Sequence, residues 1–214
     1  HGEKQHVLVD LEDPKLQSFL NYNFLDLKEA LRAGTMKRSD ALAAAQRIFQ
    51  DKVRYDHPRV FADMIKNGKM TRAQAIETLG ELGYQPDQMS GIDKPHENRL
   101  YSLAEFLDIG VCNEMAMLFQ IVMQYLGIRS MMLKGQYTDA DGDGDGGRHA
   151  WVLIMDMPLM DEIGETFPLV IDVVNFSDPI MKRHAEYMRY RRDHVRRFLK
   201  DAAETQFMEI KGAP

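Results

Sequence analysis

The 214-residue chain has one cysteine, Cys112. That excludes an internal disulfide and any metal site built from several cysteines. No apolar run approaches the ~20 residues that a membrane helix needs, so no membrane span is expected. Positive charge is not in excess: 27 Lys and Arg stand against 33 Asp and Glu, for a formal net charge of −6. A chain of that sign is poorly suited to neutralising phosphates, and nucleic acid is not expected as its main partner. What is present is ordinary for a globular protein, with 44% apolar and 28% charged residues. The length suits one domain, or one domain with a small helical annex, with a core that needs neither disulfides nor a structural metal.

The first half reads as helical. Asp13-Pro14 pairs a cap residue with Pro at the first helical position. Leu16, Phe19, Leu20, Phe24, Leu27 and Leu31 follow at helical spacing, and Gly34 is the expected stop. A second helix is expected from Ser39 or Asp40 to Tyr55, ended by His57-Pro58. A third covers Val60 to Lys66 and stops at Asn67-Gly68. A fourth runs from Thr71 to about Gly83, where Thr71 and Gln74 form a capping box and Met70 a staple. Gly34-Thr35-Met36-Lys37-Arg38 is echoed by Gly68-Lys69-Met70-Thr71-Arg72, and Ala41-Leu42 by Ala75-Ile76. Two copies are too few for a solenoid, so the echo is read as recurring helix-stop signals and this half as packing scaffold.

The stretch from Gln85 to Asn98 is polar, carries Pro86, Gly91 and Pro95, and reads as a loop. A short helix is expected over Ser102 to Leu107, broken by Gly110. Cys112 to Leu126 is apolar on nearly every side, the pattern of a buried central helix, and Gly127 stops it. Three strands follow: Ile128 to Tyr137, His149 to Met155, and Phe167 to Val174. A helix then runs from Asp178-Pro179 to about Ala203, loaded with Arg183, Arg189, Arg191, Arg192, Arg196, Arg197 and Lys200. It reads as a solvated face, with Met188, Val195 and Leu199 turned inward.

Three residues in this second half carry chemistry. Cys112 opens the buried helix. There the helix dipole and the N–H groups of the first turn favour thiolate over thiol, and a thiolate is a competent nucleophile. His149 opens a strand as His149-Ala150-Trp151-Val152. An imidazole beside the sulfur takes the thiol proton and later protonates a leaving amine. Asp172 sits in the apolar run Leu169-Val170-Ile171-Asp172-Val173-Val174. A carboxylate there is costly unless paired, and pairing with the second ring nitrogen of His149 fixes the tautomer.

Gly110-Val111-Cys112-Asn113-Glu114-Met115-Ala116, Leu126-Gly127-Ile128-Arg129, Lys134-Gly135, Arg148-His149-Ala150-Trp151-Val152 and Ile171-Asp172, in that order, resemble the transglutaminase-like superfamily. The resemblance covers about Leu103 to Asn175. It implies an α+β fold with a papain-like core, in which the Cys helix packs on an antiparallel sheet carrying His and Asp. By the same resemblance Cys112 is the nucleophile, His149 the base and Asp172 its orienter, with Trp151 a candidate substrate-binding residue. The expected organisation is a helical region over 1–97, a catalytic core over 98–178, and a C-terminal helix packed on the core over 179–214. Two features depart from the family pattern. Val173-Val174-Asn175 replaces its usual small residue and Thr, and Phe106 stands where papain-type enzymes carry Gln. The backbone N–H of Cys112 is the expected first oxyanion donor, and the second is left unassigned.

The loop before His149 carries Asp139, Asp141, Asp143 and Gly144, which match the first half of a calcium-binding EF-hand loop. The position of the usual bidentate Glu is Ala150, and Asp145 is the substitute candidate. Calcium here is an expectation set against an ordinary Gly- and Asp-rich turn, and no cofactor is required by the chemistry. The expected function is that of a thiol hydrolase, a cysteine protease or amidase that cleaves an amide of a protein or peptide through a Cys112 acyl-thioester. Transfer of the acyl group to an amine, as in transglutaminases, and a catalytically silent binding module on the same fold are the alternatives. The start at His1-Gly2 and the acidic loop lean the expectation toward an exported protein.

Overall fold

The N-terminal helices form where the chain offers a capped start and one apolar stripe. Helix α1 (Pro14–Arg32) is capped by Asp13, whose side chain accepts from the N–H groups of Lys15 at 2.8 Å and Leu16 at 3.2 Å. Its buried residues are Leu16, Leu20, Phe24 and Leu27, one face of the cylinder. Gly34 ends the turn with φ +69°, a conformation that glycine adopts without strain. Helix α2 (Arg38–Lys52) buries Ala41, Leu42, Ala45 and Phe49. The computed structural model describes residues 6–93, 100–136, 148–160 and 166–174.

The chain departs from expectation at the end of α2. The helix stops at Lys52, and His57-Pro58 opens helix α3 (His57–Lys66) instead of ending the one before. Asp56 caps α3 by accepting from the Arg59 N–H, and Pro58 fits the first turn because its missing N–H has no helical partner there. Between the helices Arg54–Tyr55 is extended, and it pairs in parallel with Ile109–Gly110. Helix α4 (Arg72–Glu81) has the expected Thr71–Gln74 capping box. The echo between Gly34 and Gly68 has a local structural meaning. Both glycines lie at φ +69°, and both Ala41 and Ala75 are buried, but Leu42 is buried while Ile76 is exposed.

The polar stretch after α4 contains a 3-10 helix over Pro86–Asp93, which buries Ile92 against Phe61, Ala75 and Leu79. Two short strands that periodicity does not disclose, β1 (His6–Leu8) and β3 (Leu100–Ser102), pair in parallel. With β2 (Arg54–Tyr55) and β4 (Ile109–Gly110) they make two small parallel sheets. Helix α5 (Cys112–Tyr125) is the central helix, with Met115, Ala116, Leu118, Phe119, Ile121, Val122 and Met123 all buried. Gly127 follows at φ +74°.

The third sheet has the order β5 (Ser130–Gln136), β6 (Arg148–Met160), β7 (Thr166–Ile171). β6 and β7 are antiparallel, with Val152 opposite Ile171 and Ile154 opposite Leu169. The register shifts between Ile154 and Leu159, which bulges β6. Alternation along β6 sends Ala150, Val152 and Ile154 into the same core as α5, and α5 packs against this strand. That core also takes Leu16, Leu20 and Phe24 from α1 and Leu42, Ala45 and Phe49 from α2. Phe49 meets Phe119 edge to face, with centroids 5.2 Å apart.

These elements make an α+β fold. Apart from Gln136 they belong to one compact unit, made of His1–Gly135 and Arg148–Phe176. Apart from Gln136 the second unit, Gln136–Gly147 and Ser177–Pro214, lies outside the described residues, and so does the expected C-terminal helix over 179–214. No helix among the described residues is long and apolar enough to cross a membrane.

Candidate functional site

Cys112 is the first residue of α5 and is half-buried. Its position is set from two sides. Behind it, the β2–β4 pairing holds the approach to the helix: the Arg54 N–H donates to the Asp108 carbonyl at 2.9 Å and the Asp56 N–H to the Gly110 carbonyl at 3.0 Å. Ahead of it, Glu114 reaches back from the third helical position, and its Oε2 accepts from the Val111 N–H at 3.1 Å. This is the returning half of a capping box; Val111 has no side-chain oxygen for the other half. Gly110 packs closely on the helix: a β-carbon there would lie 3.1 Å from Glu114 Cβ, a tight contact.

His149 is the second residue of β6, two positions before Trp151, and its side chain lies outside the described part of the structure. Trp151 is buried within β6. Asp172 directly follows the last residue of β7 and is buried, and its Oδ1 accepts from the Val174 N–H at 3.2 Å. Ile171 lies opposite Val152, so the end of β7 runs beside the start of β6, where His149 stands. Asp139, Asp141, Asp143 and Asp145 lie outside the described residues. No cluster of three or more His, Cys, Asp or Glu suited to a metal occurs among the described residues.

The centre of this arrangement is a residue that sequence reasoning passed over. Tyr55 has its hydroxyl pKa raised, first by burial and then by the negative charge of Cys112, Glu114, Asp172 and Asp56. Asp56, Glu114 and Asp172 are the buried carboxylates among the described residues, and all three, with Cys112, act on the one Tyr55 phenol. Burial of acidic groups is expensive, and its concentration around one phenol makes this place the candidate site.

The surroundings of Tyr55 are tied down by α3 and by Tyr84, beyond α4. Asp56 is bound by the Arg59 guanidinium, with Nε to Oδ2 at 2.7 Å. The Tyr84 hydroxyl donates to the Tyr55 carbonyl at 2.8 Å and lies 3.1 Å from Nδ1 of His57. The His57 ring meets the Tyr55 ring edge-on at 4.7 Å. Burial lowers the His57 pKa, against the opposing effects of Asp56 and a hydrogen bond to the Tyr55 backbone. Burial likewise raises the Tyr84 hydroxyl.

The signals for Tyr55 in the sequence are faint. It ends a helical pattern and precedes Asp56-His57-Pro58, and three of the groups that act on it, Cys112, Glu114 and Asp172, come from positions more than fifty residues away. At a significant level, the chain matches no protein-family model, no curated protein and no solved structure.

Proposed function

We propose that this protein is a thiol hydrolase of the transglutaminase-like kind, with a papain-like core, acting on an amide bond of a protein or peptide. The observation that carries the reading is the setting of the lone cysteine. Cys112 opens a buried helix, that helix packs on the strand bearing His149, and Cys112 shares the surroundings of Tyr55 with buried Asp172.

In this reading the Cys112 sulfur attacks the amide carbonyl carbon, and the carbonyl electron pair moves to oxygen. His149 accepts the thiol proton and returns it to the leaving nitrogen as the C–N bond breaks. Asp172 holds the imidazole in the tautomer that makes this transfer productive. Water, giving a proton to His149, then attacks the thioester carbon; the C–S bond breaks, the carboxylic acid leaves, and His149 returns the proton to the sulfur. The Cys112 N–H, in the first turn of α5 where N–H groups have no helical partner, is in this reading a donor to the oxygen on which negative charge develops.

The test is the rate at which iodoacetamide alkylates the thiol at pH 7. With one cysteine in the chain, all labelling reports Cys112. Alkylation of His149→Ala is expected to be at least tenfold slower than that of wild type, with the far-ultraviolet circular dichroism unchanged. Equal rates in the two proteins overturn the reading. Repeating the measurement in calcium and in a chelator tests the Asp139 to Asp145 expectation, because a loop that binds calcium next to His149 makes the rate calcium-dependent.

A further inference from the structure

A hydrolase of this kind needs a second donor for the oxyanion, and the papain-type glutamine position holds Phe106. The geometry around β4 supplies a candidate from the opposite direction. A β-carbon added at Gly110 would meet Glu114 Cβ at 3.1 Å and Met115 Cγ at 3.7 Å, so that face of the β2–β4 pair lies against the first turn of α5. Directly paired residues of adjacent strands project to the same face. Tyr55 is paired with Gly110, so its side chain projects to the face where Gly110 has none, toward the start of α5. The ring is half-buried, packed on the main core and braced edge-on by His57 at 4.7 Å.

We propose that the Tyr55 hydroxyl is the second hydrogen-bond donor to the acyl oxygen of a substrate bound at Cys112, acting beside the Cys112 backbone N–H. The inference rests on the thiol-hydrolase reading and adds a catalytic residue to it. Thiolate attack on the carbonyl carbon forms the C–S bond and leaves the electron pair on oxygen, and Tyr55 donates a hydrogen bond to that oxygen without giving up its proton. As the intermediate collapses, the pair returns to carbon, C–N breaks and the amine takes its proton from His149.

Three features suit Tyr55 to this role. Its hydroxyl stays protonated across the working pH range, because burial and the surrounding negative groups oppose ionisation. Those same groups, Glu114, Asp172 and Asp56, repel a developing oxyanion, so a preorganised donor gains value there. Its backbone is also fixed, by strand pairing to β4 and by the Tyr84 hydroxyl on its carbonyl.

The test compares two reactions of the same thiol. Alkylation by iodoacetamide passes through no oxyanion, whereas acylation by p-nitrophenyl acetate does. Tyr55→Phe removes one hydroxyl and keeps the ring. It is expected to slow acylation at least tenfold while alkylation changes less than threefold. Equal acylation rates in Tyr55→Phe and wild type overturn the assignment, and so does an equal fall in both reactions, which would place the effect on the thiol itself. Failure of the underlying reading looks different: wild-type alkylation would then be indifferent to His149→Ala. If Tyr55→Phe does not fold, 3-fluorotyrosine in place of Tyr55 keeps the packing and strengthens the donor. The ratio of acylation to alkylation is then expected to rise at least twofold, and an unchanged ratio overturns the proposal.

Discussion

At the scale of single residues, the cost of burying charge does most of the sorting. Asp172 is conspicuous in the sequence because it interrupts an apolar run, and it is buried, as that run implies, in spite of the cost. Glu114 has the same problem but hides better. It sits at the third position of a helix, where a carboxylate is a common cap, and nothing local shows that it is fully enclosed. Its Oε2 satisfies the N–H of Val111, directly before Cys112, so Glu114 holds the turn that presents the thiol. Glu114→Ala is expected to cost about 2 kcal/mol in urea unfolding, the penalty for removing a hydrogen bond to a buried charged group. Glu114→Gln keeps an acceptor oxygen and is expected to cost less than Glu114→Ala. Equal losses would mean that the hydrogen bond to Val111 does not set the cost.

At the scale of elements, helices and their ends were the most legible part of the chain. Asp13-Pro14, Thr71 with Gln74, and the stops at Gly34, Gly68 and Gly127 act within one or two turns, so local pattern suffices to place them. The end of α2 was misplaced because His57-Pro58 reads equally as a stop or as a first turn. The choice went to the first turn once Arg54 and Asp56 found partners on β4. The resulting junction between β2 and α3 contains a pH-sensitive group. Burial lowers the His57 pKa below its ordinary value of 6.5. Above 6.5 the ring is neutral in both folded and unfolded chains and its burial adds no pH dependence. As pH falls below that value the unfolded chain binds a proton that the folded chain resists, so stability is lost until the lowered folded value is passed. Urea midpoints taken from roughly pH 7.5 to 5 should therefore decline. His57→Gln should flatten that part of the decline, and a curve that keeps its slope would show that His57 is not the group responsible.

At the scale of the molecule, α1 and α2 are part of the same packing as α5, β6 and β7. Phe49 from α2 and Phe119 from α5 are both fully buried and in contact. Phe49→Ala is expected to destabilise the protein by about 3–5 kcal/mol, the usual cost of an aromatic cavity in a core. Circular dichroism weighs the helices, whereas fluorescence of the single tryptophan, Trp151, reports the sheet. The two transitions are expected to coincide in wild type and in Phe49→Ala. A helical transition that separates from the Trp151 signal would mean that α1 and α2 unfold on their own.

The sequence by itself determined the elements whose causes are short-range: where most helices start and stop, which helix is central, which three segments become the larger sheet, and which thiol opens a helix. It also marked Cys112, His149 and Asp172, because each is an unusual residue in its local pattern. Only the tertiary structure decided that residues 54–55 are a strand, since a two-residue strand has no periodicity and exists through its partner at 109–110. The same holds for Tyr55. Its proposed role rests on burial near Cys112, Glu114 and Asp172, neighbours brought together by long-range packing that no local pattern encodes.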